Sequence, residues 1–309
     1  MAAIHIAVLM TCHNRRETTL SCLRALARQE GIGRVQVQVY LVDDGSCDGT
    51  GDAVRQAFPD VKVLEGDGNL YWAGGTRVAF DEAMKSDYDY YLWLNDDTTL
   101  DPRAVRIVLD TARVIRGTRG RDGIVVGSTC DPETGERTYG GDAPGNPSEP
   151  RRRQPIEPSN KPQRCVTFNG NCVFIPRSIV AAVGSVSPDF THYLGDTDYG
   201  LRAAAKGFSS WIVPGFAGTC PANPNANRWT SPELSLRQRW RLLHSPKGFP
   251  PREWLIFNRR HAGLRWIPAM LKLYIRVLCP SLWRVLKRTR PKNSSALRKP
   301  PVAKLEPPT

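Results

Sequence analysis

The sequence lacks the two glycine-rich turns with which many α/β proteins hold nucleotides. A dinucleotide-binding fold has Gly-x-Gly-x-x-Gly after its first strand, but here the first apolar run leads into Thr11-Cys12-His13-Asn14-Arg15. The Gly-Lys-Ser/Thr ending of a P-loop is also missing. These absences exclude the common dehydrogenase and P-loop classes. They predict that side chains, more than a glycine cradle, hold the ligand.

Paired cysteines are absent as well. The eight cysteines are scattered through the 309 residues, and no two of them form a Cys-x-x-Cys pair. This spacing excludes a zinc ribbon and a small disulfide framework, and it favours a reducing cytoplasm. Residues 4–10 are apolar, but no basic region precedes them and no cleavage pattern follows. We therefore predict a strand there and no signal peptide.

Acidic residues are nearly missing from the C-terminal part of the chain. Residues 237–304 contain 18 Lys or Arg and a single acid, Glu253, whereas the rest of the chain has 25 Lys or Arg and 29 Asp or Glu. We expect a mildly acidic body with a basic C-terminal region that meets an anionic surface.

A hydrophobic run long enough to cross a bilayer is not found in that region either. Residues 264–286 mix aliphatic and aromatic residues with four basic residues and with Pro268 and Pro280. This composition is typical of interfacial helices, so we predict peripheral contact with an anionic membrane at its cytoplasmic inner face. A helical appendage packed on the body is the alternative. Residues 290–309, rich in Pro and Lys, are predicted to be disordered.

The first 130 residues contain a regular alternation of apolar strands and amphipathic helices. We predict strands at residues 4–10, 35–42, 61–64, 90–94 and 123–128, and helices at residues 17–29, 51–58, 74–84 and 102–115. This alternation predicts an α/β fold with a Rossmann-like, doubly wound, mostly parallel sheet. In such sheets, ligands bind outside the carboxyl ends of the strands.

One strand end carries two adjacent carboxylates. The apolar run at residues 90–94 leads directly into Asn95, Asp96 and Asp97. Two neighbouring carboxylates repel each other unless a cation lies near them, and hard divalent ions prefer oxygen ligands. The pair therefore favours a divalent metal site. The alternative is a solvated turn before the helix that Asp101-Pro102 opens.

A second acidic cluster, Gly195-Asp196-Thr197-Asp198, opens a helix that we expect to end at Gly207. A single carboxylate at a helix start is commonly only a cap. Two acids framed by glycine and aromatic residues favour a pocket instead. There a carboxylate can accept the proton of a hydroxyl as a general base.

Periodicity vanishes between the two clusters. Pro, Gly and Arg dominate residues 131–162, which we predict to be a long surface loop. It is either a mobile lid or acceptor-binding segment, or a disordered insertion. Strands are predicted again at residues 165–168 and 172–175, followed by a helix that opens at Pro176.

Four motifs taken together resemble glycosyltransferase family 2, whose members have the GT-A fold. Each motif alone is weak, but their order, spacing and strand-end placement agree over roughly residues 4–215. Within the family, the chain is most similar to bacterial rhamnosyl- and galactofuranosyltransferase-type enzymes that build cell-surface polysaccharides. The motifs are Thr11…Asn14-Arg15, Asp43-Asp44-Gly45-Ser46…Asp48-Gly49-Thr50, Asn95-Asp96-Asp97 and Gly195-Asp196-Thr197-Asp198.

The resemblance implies binding of a nucleotide-sugar donor, UDP- or dTDP-linked, together with Mg or Mn. Thr11 and Asp44, with Asp43 nearby, would hold the donor base. Asp96 would contact ribose or support the metal, and Asp97 would bind the metal on the diphosphate. Asn95 joins them as a metal-site residue. The other implied donor-site residues are Asn14, Arg15, Gly45, Ser46, Asn69, Gly74, Gly75 and Arg77.

The resemblance also implies an inverting transfer to a hydroxyl of a cell-envelope polysaccharide or a lipid-linked acceptor. Asp196 would be the general base, and Asp198 would shape the acceptor site. The metal would neutralise charge on the departing diphosphate while the anomeric carbon gains oxocarbenium character. The implied acceptor-site residues are Asn169, Asn171, His192 and Tyr193.

The implied domain organisation has one catalytic domain and an appendage. Residues 1–130 form the nucleotide-sugar-binding half, and residues 131–220 form the acceptor-binding and catalytic half of the same GT-A domain. Residues 221–289 are the basic, amphipathic helical appendage, and residues 290–309 are the disordered tail.

Two departures from the family pattern concern the binding residues. Where the family often has Asn-x-Gly-x-x-Gly-Gly-x-Asn, residues 69–77 keep the first Asn and the Gly pair, but Tyr71 and Arg77 replace a Gly and the last Asn. Arg77 is expected to pair with donor phosphate or to form a surface ion pair. Residues 213–220 lack the metal-binding His of some members. His192 and His244 are candidates for that ligand, with packing or surface roles as the alternative.

Two other functions fit parts of the sequence. The pI of 9.6 suits a protein that binds nucleic acid or another anionic surface without catalysis, but no nucleic-acid module is recognisable. A sugar-1-phosphate nucleotidyltransferase shares the sheet type, but its Gly-x-Gly-Thr-Arg turn after the first strand is absent. We therefore predict a glycosyltransferase without a nucleic-acid partner.

Overall fold

The first part of the chain forms four parallel strands and the helices that connect them. The computed structural model describes residues 3–144, 153–223, 228–281 and 283. The strands are β1 (Ile4–Cys12), β2 (Val35–Asp43), β3 (Lys62–Glu65) and β4 (Tyr90–Leu94), and the helices are α1 (Arg16–Ala27), α2 (Thr50–Ala57) and α3 (Tyr71–Ala83). All four strands run parallel in the spatial order β3, β2, β1, β4.

The following residues extend the same sheet. They form β5 (Thr99–Leu100), α4 (Ala104–Arg119), β6 (Gly123–Cys130), β7 (Arg137–Tyr139), β8 (Gly141–Ala143), β9 (Gln154–Pro155), β10 (Gln163–Cys165), β11 (Thr167–Phe168), β12 (Cys172–Pro176), α5 (Arg177–Val183), α6 (Gly195–Ala205) and β13 (Ser209–Thr219). Strand β12 lies antiparallel between β4 and β6, and β13 runs parallel to β6. Strands β11, β8 and β9 form a separate small sheet.

Helices cover both faces of the large sheet, and the central strands are apolar on both sides for that reason. In β1, Ile6, Val8 and Met10 pack with residues of α1 and α4. The alternate residues, Ala7 and Leu9, pack with residues of α3 and α6 on the other face. Because β1, β2 and β4 are parallel, their polar carboxyl ends come out at one edge of the sheet.

The C-terminal residues form three helices and two short 3₁₀ turns. These are the turn Arg228–Thr230, α7 (Leu236–His244), α8 (Pro251–Ala262), the turn Gly263–Arg265 and α9 (Trp266–Leu278). They enclose a small core of Trp229, Leu243, Leu273 and Val277. No helix in the described ranges has the length and apolar content that a bilayer crossing requires.

The predicted α/β class with a mostly parallel sheet is confirmed. The prediction of one unstructured loop over residues 131–162 is wrong, because β7, β8 and β9 lie within it. Strands of two or three residues are too short to show alternation in the sequence. Residues 145–152 of that segment and the predicted disordered tail at 290–309 lie outside the described residues.

Candidate active site

The donor side of the site begins at the carboxyl end of β1. Thr11 lies there, and its hydroxyl oxygen is buried without a hydrogen-bond partner in the described chain. Gly75 of α3 faces it so closely that a Cβ at this glycine would lie 2.3 Å from Thr11 Cγ2. Gly75 therefore allows helix α3 to approach the end of β1.

The turn after β2 is fixed by hydrogen bonds to the turn after β1. Asn14 has a φ of 51°. Its backbone N–H donates to Ser46 Oγ at 2.8 Å, and its Oδ1 accepts the backbone N–H of Cys47 at 2.8 Å. Asp43 accepts the backbone N–H of Ser46 at 3.1 Å, so this buried carboxylate also holds the turn, which includes Gly45.

Asp44 is committed to the backbone at the start of α3. Its carboxylate accepts the N–H groups of Gly68 at 2.9 Å, Leu70 at 3.2 Å and Tyr71 at 2.9 Å, and it is only 2% exposed. Most of its acceptor capacity is used by these three bonds. The contact of Asp44 with a donor base stays a prediction. Such a contact could use only the lone pair of the Asp44 carboxylate that these three bonds leave free.

Tyr71 adopts a backbone conformation that favours glycine. Its φ is 53°, in the left-handed region that costs a non-glycine residue about 1–3 kcal/mol. The bond from its N–H to Asp44 holds this conformation. The other described non-glycine residues with positive φ are Asn14 and Leu194, and each of the three lies within two residues of a predicted site residue. Backbone strain is therefore concentrated around the predicted site.

Asp96 and Asp97 follow β4 and share one counter-ion. Arg15 Nη1 lies 3.0 Å from Asp96 Oδ1 and 2.7 Å from Asp97 Oδ2. Asp96 is 5% exposed, and burial, partly offset by Arg15, raises its pKa to about 7. Its second oxygen is buried without a partner among the described residues. The pair is therefore short of positive charge.

These residues fit a divalent metal ion. Mg²⁺ and Mn²⁺ favour oxygen ligands, and Mg²⁺ commonly uses one or two carboxylates together with substrate phosphates. Asp97 is partly exposed, and Asp96 has an unpaired oxygen. Asn95 Oδ1 instead accepts the indole N–H of Trp72 at 2.7 Å. No group of three His, Cys, Asp or Glu side chains in the described ranges is placed to hold a metal, so a third protein ligand is not found there.

Asp196 lies at the start of α6 and is held by backbone amides. Its Oδ2 accepts the N–H of Gly170 at 3.0 Å, and its Oδ1 accepts the N–H of Thr197 at 2.6 Å. Burial raises the pKa of Asp196, although these bonds work in the opposite direction. A fixed carboxylate with a raised pKa suits a general base that works near neutral pH.

Trp72 connects the two acidic motifs. One edge of its indole donates to Asn95, next to Asp96. Its ring also lies over Gly170, where a Cβ would stand 2.1 Å from Trp72 Cζ2. Gly170 in turn donates to Asp196. Contacts through one indole ring therefore connect Asn95, the neighbour of Asp96, to Gly170, whose N–H donates to Asp196, a hundred positions from Asp96 in sequence.

Asp198 does not fit the predicted role at the acceptor site. It is 0% exposed, and it accepts hydrogen bonds from Arg202 at 2.8 Å, Arg260 at 2.7 Å and His261 at 2.8 Å. Burial alone would raise the pKa of Asp198, but these three bonds outweigh it and lower the pKa. The sequence-based expectation is corrected because Asp198 ties α8 to α6 and has no surface for a substrate.

The predicted acceptor residues are of two kinds: two are aromatic side chains close to Asp196 in sequence, and two are amides that bond to other parts of the chain. His192 lies between the rings of Tyr71 and Tyr193, and burial lowers its pKa to about 4. Tyr193 is half-buried. Asn171 is buried and donates to Cys220 Sγ at 3.4 Å, while Asn169 donates its N–H to the carbonyl of Gly140. Asn169 and Asn171 therefore stabilise the segment around Gly170. His192 and Tyr193 belong to the segment that leads to Asp196.

Four further predicted residues are placed elsewhere: Arg77, Asn69, His244 and Gly74. Arg77 donates to the carbonyl of Ser187 at 3.4 Å, and its predicted contact with donor phosphate stays a prediction. Asn69 is exposed and bonds within its own turn to Asp67. His244 is exposed and packs on Trp240, away from the carboxylate pair in sequence and in contacts. Gly74 is buried within α3.

Sequence reasoning missed two contributors to this site. Trp72 lies within residues 69–77, which depart from the family pattern, but no role is predicted for it. Gly170 lies between Asn169 and Asn171, and it also has no predicted role. A glycine flanked by two polar residues at a strand start is a signal of close backbone approach, and it could have identified Gly170. The indole contact of Trp72 has no local signal, because it joins residues 23 and 98 positions away.

Known proteins share features with this chain. The model of the family described as Glycosyl transferase family 2 matches residues 7–183. Two curated relatives from Mycobacterium tuberculosis, strains CDC 1551 / Oshkosh and ATCC 25618 / H37Rv, are each described as N-acetylglucosaminyl-diphospho-decaprenol L-rhamnosyltransferase. Each is 30% identical over 199 residues, which cover 58% of this chain and 64% of the relative. The chain thus spans less than two thirds of the relatives' length.

A solved structure shares the fold. The crystal structure of S. aureus TarS covers 84% of this chain and 44% of its own, with a TM-score of 0.52 and 12% sequence identity. Identity this low makes the likeness one of fold alone. It agrees with the mixed α/β architecture built around the mostly parallel sheet.

Proposed function

Since this chain belongs to glycosyltransferase family 2, we propose that it transfers a sugar from a nucleotide-sugar donor to a hydroxyl of a lipid-linked cell-envelope acceptor, with inversion of configuration. The observation that carries the proposal is the contact chain from Asn95 through Trp72 and Gly170 to Asp196. This contact chain supports a common site for the two carboxylate groups, at the end of β4 and the start of α6. Transfer from a diphosphate-linked sugar needs a charge site and a base that act on the same substrate.

On the donor side, the chain supplies oxygen ligands and a cation. Asp97 and Asp96 would hold Mg²⁺ or Mn²⁺, which when bound neutralises charge on the departing diphosphate. Arg15 is half-exposed and can turn from the carboxylates towards the diphosphate when the pair is neutralised. Thr11, with its unpaired buried hydroxyl, is the residue best placed to contact the nucleoside.

On the acceptor side, Asp196 removes the proton from the attacking hydroxyl. Backbone N–H groups fix both of its oxygens, so the remaining lone pairs point in set directions. The raised pKa makes it a stronger base than an ordinary Asp. Attack from the face opposite the diphosphate inverts the anomeric centre, and no covalent intermediate is formed on the protein.

The class of acceptor is proposed from the relatives and from the aromatic residues of the site. The name of the relatives specifies a sugar linked through diphosphate to decaprenol. Tyr71, His192 and Tyr193 form a ring cluster beside the segment that leads to Asp196. Aromatic rings of this kind can pack against a sugar or a prenyl chain. A lipid-linked acceptor further implies peripheral contact with an anionic membrane on the cytoplasmic side.

A transfer assay tests this proposal. The purified chain is incubated with UDP- and dTDP-sugars, Mn²⁺ or Mg²⁺, and a water-soluble short-chain prenyl diphosphate sugar as acceptor. We expect acceptor-dependent release of nucleoside diphosphate and a product whose anomeric configuration, read by NMR, is inverted. Release of pyrophosphate would point to nucleotidyl transfer and would contradict the proposal, as would retention of configuration.

A further inference from the structure

Helix α9 carries an apolar stripe that the small C-terminal core does not use. Its buried side consists of Ala269, Leu273 and Val277. Another side presents Ile267, Leu271, Ile275 and Leu278, which are 50%, 60%, 39% and 49% exposed. Their spacing of four, four and three residues places them in one line along the helix.

Helix α7 and the 3₁₀ turn just before α9 extend this stripe into a wider apolar surface. Leu236 and Trp240 of α7 are 48% and 44% exposed, and Leu264 is 88% exposed. The Trp240 ring stacks on Tyr274 of α9 with centroids 6.1 Å apart, which joins the two helices. We call Leu236, Trp240, Leu264, Ile267, Leu271, Ile275 and Leu278 the apolar face. These are seven of the ten large exposed hydrophobic residues in the described chain.

Exposed positive charge lies on the three C-terminal helices, two of which carry the apolar face. Arg237, Arg241, Arg259 and Lys272 are exposed on α7, α8 and α9. Between residues 236 and 283, the only acid is Glu253, which is 8% exposed. A second copy of the chain would bring the same positive rim against this one, so self-association is disfavoured. Nucleic acid would match the charge and leave the apolar side chains in water.

We propose that the apolar face and its basic rim dock on the surface of an anionic phospholipid bilayer. Exposed Leu, Ile and Trp side chains enter the boundary between head groups and acyl chains, and Lys and Arg meet the lipid phosphates. A bilayer of this charge satisfies both features at once. The proposal rests on the proposed function for its biological reason, since a lipid-linked acceptor lies in such a membrane.

The contacts of the C-terminal helices place them against the part of the catalytic domain where the acceptor is proposed to bind. Helix α8 packs on α9, and its Arg260 bonds to Asp198 of α6 and to Asp189. The Phe249 ring, just before α8, lies 6.4 Å from that of Tyr193, three residues before Asp196. Helix α8 therefore connects α9, which carries most of the apolar face, to the segments around Asp196, so docking would bring those segments close to the bilayer.

Vesicle flotation of the full chain tests this docking. Wild type is mixed with vesicles of phosphatidylcholine and phosphatidylglycerol, or of phosphatidylcholine alone, and the floating fraction is measured. The test variant is Leu271→Glu/Ile275→Glu. The matched control is Val37→Glu/Val114→Glu, which adds the same charge at exposed apolar residues of the catalytic domain. We expect wild type to bind the anionic vesicles only. Binding should be at least about tenfold weaker in the test variant and unchanged in the control.

A second pair of variants tests the basic rim. Arg241→Gln/Lys272→Gln should weaken binding by about fivefold per charge removed, whereas Arg28→Gln/Arg103→Gln, with the same net charge, should not. Wild-type affinity in the Leu271→Glu/Ile275→Glu variant would overturn the proposal, as would equal binding to neutral vesicles. A wild-type dimer that the same variant converts to monomer would assign the face to a second copy instead.

The docking and the catalytic proposals can fail separately. Transfer to the water-soluble acceptor is measured in every variant alongside flotation. Loss of flotation with unchanged transfer to the soluble acceptor supports docking by the apolar face. Absence of transfer in wild type, with flotation behaving as expected, contradicts the catalytic proposal alone.

Discussion

The two acidic motifs look alike in sequence but have opposite surroundings in the structure. Asp96 and Asp97 are adjacent, and both depend on the single, half-exposed Arg15. Asp196 and Asp198 are two residues apart and share no partner. Backbone N–H groups hold the first, while Arg202 and Arg260 neutralise the second and His261 donates a hydrogen bond to it. A carboxylate that lacks enough positively charged partners is the one available to bind a metal ion or accept a proton. The number of carboxylates in a motif is less informative.

The largest expected effect separates Asp196 from Asp198. Asp196→Asn removes the base but keeps a side chain of the same shape, so transfer should fall by about 10³-fold. Binding of Mn²⁺ and nucleoside diphosphate, measured by calorimetry, should remain. The control is Asp81→Asn, the same change on the exposed side of α3. Transfer within a few-fold of wild type in Asp196→Asn would remove the assigned role.

Asp198→Asn should damage stability more than chemistry. It removes a carboxylate charge from a 0% exposed position and leaves the two partly exposed guanidinium groups of Arg202 and Arg260 without it, which costs about 3 kcal/mol and lowers the melting temperature by about 6–10 °C. The pKa of Asp198 is lowered in the folded chain, so its contribution is present above pH 4 and is lost as pH falls through the folded pKa. The difference between variant and wild type should therefore shrink in acid.

A partner of the same cluster provides the control for Asp198. Asp189→Asn removes only the more exposed carboxylate on Arg260 and should cost about 1 kcal/mol or less. Equal melting temperatures for Asp198→Asn and Asp189→Asn would show that α8 is not held through Asp198.

A smaller effect tests the sharing of Arg15 by Asp96 and Asp97. If the guanidinium and a divalent cation compete for these carboxylates, Arg15→Gln should tighten Mn²⁺ binding without nucleotide by about fivefold. The measurement is electron paramagnetic resonance of free Mn²⁺. The neighbouring exposed Arg16→Gln is the control. Weaker or equal binding in Arg15→Gln would show that the two cations do not compete.

The smallest effect concerns the pH dependence contributed by Asp96. Its folded pKa of about 7 lies above the ordinary value of 3.8, so the stability it contributes is complete below pH 4 and is lost as pH rises through 7. Asp96→Asn imitates the protonated form. Its melting temperature relative to wild type should rise by about 2–4 °C from pH 5 to pH 8. A constant difference would contradict the raised pKa.

Features encoded by neighbouring residues could be predicted from the sequence, and features that depend on distant contacts could not. The end of β4 and its carboxylates were evident because an apolar strand and two acids are contiguous. Position in the helix does not distinguish Asp196 from Asp198, because both stand in the first turn of α6; only the family resemblance assigned them different roles, and it did not predict the structural role of Asp198. Their difference comes from Arg260 and His261, more than sixty positions away. The strands of residues 131–162 were too short to produce a pattern.

A crystal structure with Mn²⁺ and a nucleoside diphosphate would test the central claim most directly. The account predicts one anomalous Mn²⁺ peak beside Asp97, with the diphosphate extending over Trp72 towards Asp196. A nucleotide bound on another side of the sheet, or an Asp196 carboxylate shut off from the end of the diphosphate, would contradict it.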